Sequence, residues 1–176
     1  MLSRRTLLLT AAPSSVTWPA RAGSGASSER WIWAVNRAGE EVAVAYRSGN
    51  SYNAVALARL RHLFRDLHED LQGPLPGLLV DILSVLQERW AYRRPLVIGS
   101  GYRTPRTNGS IEGAAPGSLH LQGLAADITM QGVHPDELGA VVWMLSRRLG
   151  FMGIGLYTGF VHVDIGPQRV WTRVGS

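Results

Sequence analysis

Ser118-Leu-His120-Leu-Gln-Gly123-Leu-Ala-Ala-Asp127-Ile128 sets a histidine ahead of a turn glycine and an aspartate beyond a run of small apolar residues. Imidazole and carboxylate together suit a borderline-soft divalent ion, zinc above all. Their spacing fits no single helical face. It predicts His120 just before a turn at Gly123 and Asp127 on a short strand over 124–128, so that the fold, not the periodicity, makes them converge. A zinc site needs a third protein ligand, and Phe160-Val-His162-Val-Asp164 offers His162. Standing alone, such a pair reads equally well as a surface histidine and a turn aspartate.

Outward from this stretch the pattern alternates between strand and helix periods. Residues 153–157 and 160–165 read as two strands joined by a tight turn at Thr158-Gly159, and 170–174 as an edge strand. His134-Pro135-Asp-Glu opens a helix that runs through Val141, Val142, Leu145 and Leu149 and stops at Gly150, with His134 on the cap side. Upstream, Leu96 to Gly99 is a buried strand. It leads into a turn-rich loop, Ser100-Gly-Tyr102-Arg103-Thr-Pro-Arg-Thr-Asn108, and then a glycine-rich stretch to Gly117.

Leu79, Ile82, Leu83, Leu86 and Trp90 give residues 78–90 a wide apolar helical face, preceded by the linker Gly73-Pro-Leu-Pro-Gly77. Leu57, Leu60, Phe64 and Leu67 predict a helix over 53–67 capped by Asn53, with His62 and His68 on its solvated side. Residues 30–36 and 41–47 are strand-like runs around a hairpin turn at 36–39. Strands and helices do not repeat as βαβ units, so the class expected is α+β.

The chain has 176 residues, enough for one domain with a single core over 30–176. Met1 to Ala22 reads as an export signal of twin-arginine type. It has Ser3-Arg-Arg-Thr-Leu-Leu8, a weakly apolar core from Leu7, and Ala20-Arg-Ala22 for cleavage. Residues 23–29 follow as a flexible lead-in, and the mature chain is expected in the periplasm. Three of the 18 basic residues, Arg4, Arg5 and Arg21, lie in those 22 residues, which hold no acid, so cleavage takes the net charge from +5 to +2. All 18 are arginine, a matter of composition, and the small charge gives no case for nucleic acid. With no cysteine there is neither disulfide nor thiol nucleophile, and no mature segment is apolar enough to span a bilayer. A monomer is expected.

Three motifs stand in order: Ser100-Gly-Tyr102-Arg103, Ser118-x-His120-x-x-Gly123-x-Ala-x-Asp127, and His162-Val-Asp164-x-Gly166-x-x-Arg169-x-Trp171. Together they resemble the zinc D-alanyl-D-alanine peptidase family, and most closely its exported murein endopeptidase branch. The resemblance spans Trp31 to Trp171. It implies a hedgehog-like fold, an antiparallel sheet with helices on one side and a metal groove across it. It implies zinc on His120, Asp127 and His162, with a fourth position open to water. Arg103 is then the arginine that polarises the scissile carbonyl, although as a loop arginine it pairs equally well with an acid. Tyr102, Arg169 and Trp171 fall at substrate-contacting positions, Arg169 either holding a substrate carboxylate or pairing with Asp164.

One position departs from the family pattern. Many relatives carry an acid three residues before the last zinc histidine, where this chain has Gly159. Asp164, two residues after His162 and on the same strand face, is either the base or the group that orients an imidazole. Glu112, on the glycine-rich loop, is a weaker candidate. The function implied is hydrolysis of peptidoglycan stems or cross-links by zinc-bound water. The alternative is an inactive zinc-containing module that binds peptidoglycan or protein. If the leader is a twin-arginine signal, changing Arg4 and Arg5 to Lys leaves uncut precursor in the cytoplasm. Unchanged periplasmic yield on fractionation and blotting would assign the leader to another route.

Overall fold

The computed structural model describes residues 29–173. The expected export signal and all of the lead-in except Glu29 fall outside it, and Glu29 already belongs to the first strand. Eight strands form one sheet: β1 (Glu29–Asn36), β2 (Glu41–Ser48), β3 (Ser51–Tyr52), β4 (Leu96–Ser100), β5 (Ala125–Met130), β6 (Gly153–Tyr157), β7 (Val161–Asp164) and β8 (Arg169–Arg173). Four helices join them: α1 (Ala54–Leu63), α2 (Gly77–Glu88), α3 (Pro105–Ser110) and α4 (Pro135–Leu149). Among the described residues one 3₁₀ turn covers Leu119–Gln122. The strand order is β3-β2-β1-β4-β5-β7-β6-β8.

The class is α+β as the patterning predicts, but the sheet is mixed rather than purely antiparallel. β1 runs parallel to β4 and β6 runs parallel to β8. In each case an intervening segment carries the chain back to the starting end, which local periodicity does not report.

Alternation along the strands separates two faces. Ile32, Ala34, Leu96, Ile98, Ala126, Ile128, Met130, Ile154, Val161 and Val163 all join one core, and Leu60, Leu83 and Val142 of the three long helices close over it. Each Leu, Ile, Val or Met among them contributes about 1.5–3 kcal/mol by leaving water. α1, α2 and α4 therefore occupy one side, and their intermediate strand residues face the other.

Two polar ties hold the helices to the sheet. Asp81 of α2 accepts from the hydroxyls of Tyr46 (2.8 Å) and Tyr52 (2.7 Å) and from Arg47 (2.6 Å). Gln87, fully buried, accepts from the backbone N–H of Trp33 (2.9 Å) and donates to the carbonyls of Trp33 (2.7 Å) and Arg94 (2.8 Å). It bridges β1 to the approach of β4, just before their parallel pairing begins at Ala34 and Leu96.

The first helix ends at Leu63, four residues short of the apolar spacing. Asp66 is the cause. Its carboxylate accepts from the backbone N–H groups of His68 and Glu69, turning the chain, and from Thr104 N–H at 2.8 Å. His68 thus lies in a turn rather than on a helix. The loop from Ser100 contains a helix that its glycines and prolines hide, α3, capped by Thr104 with Pro105 in its first turn.

Replacing Gln87 by Leu keeps the volume and removes three buried hydrogen bonds, so stability falls by about 2–4 kcal/mol. Urea denaturation measures this, and a loss under about 0.5 kcal/mol, the size of an ordinary surface change, would deny the bridge its role.

Candidate metal centre

The site is built from two cross-strand rows on the face away from the helices. In the first row Ser100, Asp127, His162, Gly155 and Trp171 stand side by side across β4, β5, β7, β6 and β8. The second row, two residues along, runs Ala125, Asp164, Gly153, Arg169. Side chains on one face recur every second residue, so both rows point the same way. The two glycines make room. A Cβ on Gly153 would lie 2.3 Å from Asp164 Oδ2 and 2.7 Å from Arg169 Cζ, and one on Gly155 would lie 2.8 Å from the Trp171 ring.

His120 comes from outside the sheet, on the 3₁₀ turn. Gly123 ends that turn in the left-handed region (φ 67°), with Pro74 O only 1.9 Å from where a Cβ would be. Both facts demand glycine. The turn delivers His120, 1% exposed, against Asp127 and His162.

Asp127 Oδ1 lies 2.8 Å from His162 Nδ1 and 3.2 Å from His120 Nε2, and the two nitrogens are 3.1 Å apart. The other nitrogen of each ring is engaged. His120 Nδ1 donates to the carbonyl of Gly101 at 2.6 Å, and His162 Nε2 donates to Asp164 Oδ2 at 3.1 Å. Two imidazole lone pairs then converge beside a carboxylate, an arrangement that calls for a positive charge between them, a proton or a metal ion. Bonds of about 2.0–2.1 Å at tetrahedral angles set ligand atoms ~3.4 Å apart. The donor set and its spacing fit a divalent ion held by two nitrogens and one oxygen.

Electrostatics follow from the same contacts. Burial acts to raise the Asp127 carboxyl, but its close contacts with the His120 and His162 imidazoles outweigh it and hold the group well below the usual carboxylate range. Burial acts to lower His162, but Asp127 and Asp164 prevail and raise it above its ordinary 6.5.

The remaining sequence candidates divide. Asp164 is fully buried and accepts from His162, from the backbone N–H groups of Gly153 (3.1 Å) and Gly166 (2.8 Å), and from Arg169 (2.6 Å). Arg169 also lies over the Trp171 ring, and Trp171 tilts across His162 with centroids 5.2 Å apart. Arg103 donates through Nη2 to Asp127 Oδ2 and through Nε to Ser100 Oγ (2.7 Å), while its backbone N–H reaches the His120 carbonyl (3.0 Å). The Tyr102 ring lies against Gly73 of the linker. Glu112 is exposed on the loop after α3. Gly159 is exposed, and a Cβ there would meet nothing within 4 Å.

Sequence reasoning missed Tyr157, whose hydroxyl accepts from Trp171 Nε1 (3.2 Å) and whose ring stacks on Phe160 (4.3 Å). The Gly153-x-Gly155 spacing was the available signal, since glycines in alternate strand positions mark a close approach of other side chains.

Comparison with known proteins agrees with the geometry. A family model described as peptidoglycan L,D-endopeptidase MepK (Peptidase_M15_2) matches residues 24–171. The peptidoglycan L,D-endopeptidase MepK of Escherichia coli K12 is 34% identical over 139 residues, covering 76% of this chain and 74% of that protein. The probable peptidoglycan L,D-endopeptidase MepK of Haemophilus influenzae is 27% identical over 143 residues, 77% of this chain and 75% of its own. No solved structure matches significantly.

Protons and metal compete for the same nitrogens. Metal affinity should therefore fall as pH drops through the raised pKa of His162 and be complete above it. His120→Ala, Asp127→Ala and His162→Ala should each abolish stoichiometric retention. Equilibrium dialysis with elemental analysis reads both effects, and full metal in His162→Ala would remove it from the ligand set.

Proposed function

The chain belongs to the family of peptidoglycan L,D-endopeptidase MepK, and on that premise we propose that it is an exported zinc peptidase hydrolysing L,D bonds in the peptide cross-links of peptidoglycan. The observation that carries this reading is the convergence of His120 Nε2, His162 Nδ1 and Asp127 Oδ1 with both outer ring nitrogens already committed. Two nitrogens and one carboxylate are the ligand set of hydrolytic zinc rather than of a closed structural site. When bound, the ion supplies Lewis-acid polarisation and a water acidic enough to act near neutral pH. Periplasmic action follows from the substrate and from the leader pattern of residues 1–22. The chain works as a monomer in this reading.

The protein's own groups do the rest. Asp127 is steadied through its second oxygen by Arg103, which Ser100 in turn holds. Among described residues the Nη1 of Arg103 makes no bond, so this group remains to polarise the scissile carbonyl. Asp164 is a positioning residue: it receives the Nε2–H of His162, fixing the tautomer and aim of a ligand. Its complete burial and its three other donors, Gly153, Gly166 and Arg169, leave it no path to a proton released at the reacting centre. Arg169 is spent on Asp164, and Trp171 forms the wall of the groove beside His162. Gly159, without a side chain, favours a second reading in which the site binds peptide without cutting it.

Purified full-length protein is incubated with L,D- and D,D-cross-linked muropeptides, with chelator and after zinc is restored. L,D products that vanish with chelator and return with zinc are expected; none from zinc-loaded protein would leave the binding module. Asp164→Asn should weaken zinc retention by about ten- to a hundredfold, with activity restored by excess zinc. A zinc-replete but inactive variant would instead make Asp164 the base.

A further inference from the structure

The roles above leave one buried carboxylate unused. Asp66, in the connection from α1 to α2, is 2% exposed. Burial acts to raise it, but hydrogen bonds from the Thr107 hydroxyl and from the N–H groups of Thr104 and His68 prevail and hold it below its usual range. Its two oxygens serve different partners. Oδ1 accepts from the N–H groups of His68 (2.9 Å) and Glu69 (3.4 Å) and closes the turn that ends α1. One acceptor oxygen suffices for such a turn, and asparagine supplies it as well. Oδ2 accepts from Thr104 N–H at 2.8 Å, 38 residues along the chain. A buried charge is costly to keep, so the second oxygen needs a reason beyond the turn.

The reason lies beside Thr104. Residues 101–104 run between the metal turn and the α1–α2 connection and are bonded to both. On the metal side the Gly101 carbonyl accepts from His120 Nδ1 (2.6 Å), and Arg103 N–H donates to the His120 carbonyl (3.0 Å). On the far side Tyr102 N–H donates to the Phe64 carbonyl (2.8 Å) and Thr104 N–H to Asp66. Arg103 is therefore anchored one residue before by Phe64 and one residue after by Asp66. The two backbones approach closely enough that a Cβ on Gly101 would overlap the Phe64 carbonyl. Ser100 and Asp127 fix the head of the Arg103 side chain, and these backbone bonds fix its base.

Building on the proposed peptidase function, we infer that Asp66 is a positioning residue for the reaction: by holding Thr104 N–H it fixes the backbone under Arg103 and so aims the guanidinium at the scissile carbonyl. It acts through Arg103 and bonds none of the three candidate metal residues. Misplacing a reacting group by about 1 Å costs on the order of a hundredfold in rate. A donor that serves the transition state shows its loss in kcat rather than in KM.

The test is a double-mutant cycle in the full chain, zinc-loaded, on an L,D-cross-linked muropeptide. Asp66→Asn keeps the side-chain shape and one acceptor, and should lower kcat by about ten- to a hundredfold with KM little changed. In an Arg103→Ala background the same change should cost almost nothing, because the group it aims is gone. Gln87→Leu, which weakens the fold away from the site, should lose stability without this fall in kcat below its melting temperature. A second readout needs no turnover. The Arg103 Nε–H resonance of ¹⁵N-labelled protein, assigned by its loss in Arg103→Ala, should shift and exchange faster with water in Asp66→Asn. If Asp66→Asn fails to fold, Thr107→Val, which removes a hydroxyl donor and leaves the carboxylate, goes through the same cycle. It too should lower kcat only where Arg103 is present. Equal losses with and without Arg103, or an unmoved Arg103 resonance, would overturn the inference and leave the peptidase reading intact. If the unaltered zinc-loaded protein cuts nothing, the peptidase reading fails, and the resonance decides whether Asp66 positions Arg103 in a binding site.

Discussion

A carboxylate with no exposure to water holds this site together. Asp164 sits in the sheet between β5 and β6, where an uncompensated charge would cost many kcal/mol. It is tolerated because each oxygen is met by a donor: backbone N–H groups of Gly153 and Gly166, the guanidinium of Arg169, and the imidazole of His162. Burial opposes ionisation, but the hydrogen bonds from His162 and Gly166 and the charge of Arg169 win, and the carboxyl stays below its usual range. Remove it, and His162 loses the group that aims its ring while Arg169 loses its partner.

The dependence runs outward from there. Arg169 reaches Asp164 only because β8 lies parallel to β6 in a register that pairs Arg169 with Gly153. The same register sets Trp171 opposite Gly155 and so over His162. Met152, buried and at φ 94°, precedes Gly153, and its N–H and C=O bond Gly166 and Arg169. A non-glycine residue held there is strained by about 1–3 kcal/mol. That strain is borne where the chain must enter β6 in the phase that turns both glycines toward the metal face.

Much of this was legible in the sequence. The His120, Asp127 and His162 set could be read because three motifs in order resemble a zinc peptidase family, while their spacing alone left the convergence to the fold. The helices over Leu79–Leu86 and Val141–Leu149 announced themselves by apolar period, and Asn53 and Gly150 by cap chemistry. What escaped was long-range. No local pattern says that β8 pairs with β6, or that β1 pairs with β4. The carboxylate of Asp66 ended α1 by capturing N–H groups from its own turn and from Thr104, a partner 38 residues away. For Arg103 the sequence left two readings, carbonyl polarisation and pairing with an acid; its contact with Asp127 depends on β4 lying beside β5.

The two glycines of β6 invert the usual way in which a catalytic site is lost. Most inactive relatives of an enzyme are recognised by a missing functional group. Here a single added methyl at Gly153 or Gly155 would collide with Asp164, Arg169 or Trp171 while every residue of the candidate metal site remained in the sequence. A lineage that drifted from glycine to alanine there would keep His120, Asp127 and His162 and still lose the side-chain arrangement around them. An inventory of intact ligands would then score as active a protein that had become silent through a gain of one carbon atom.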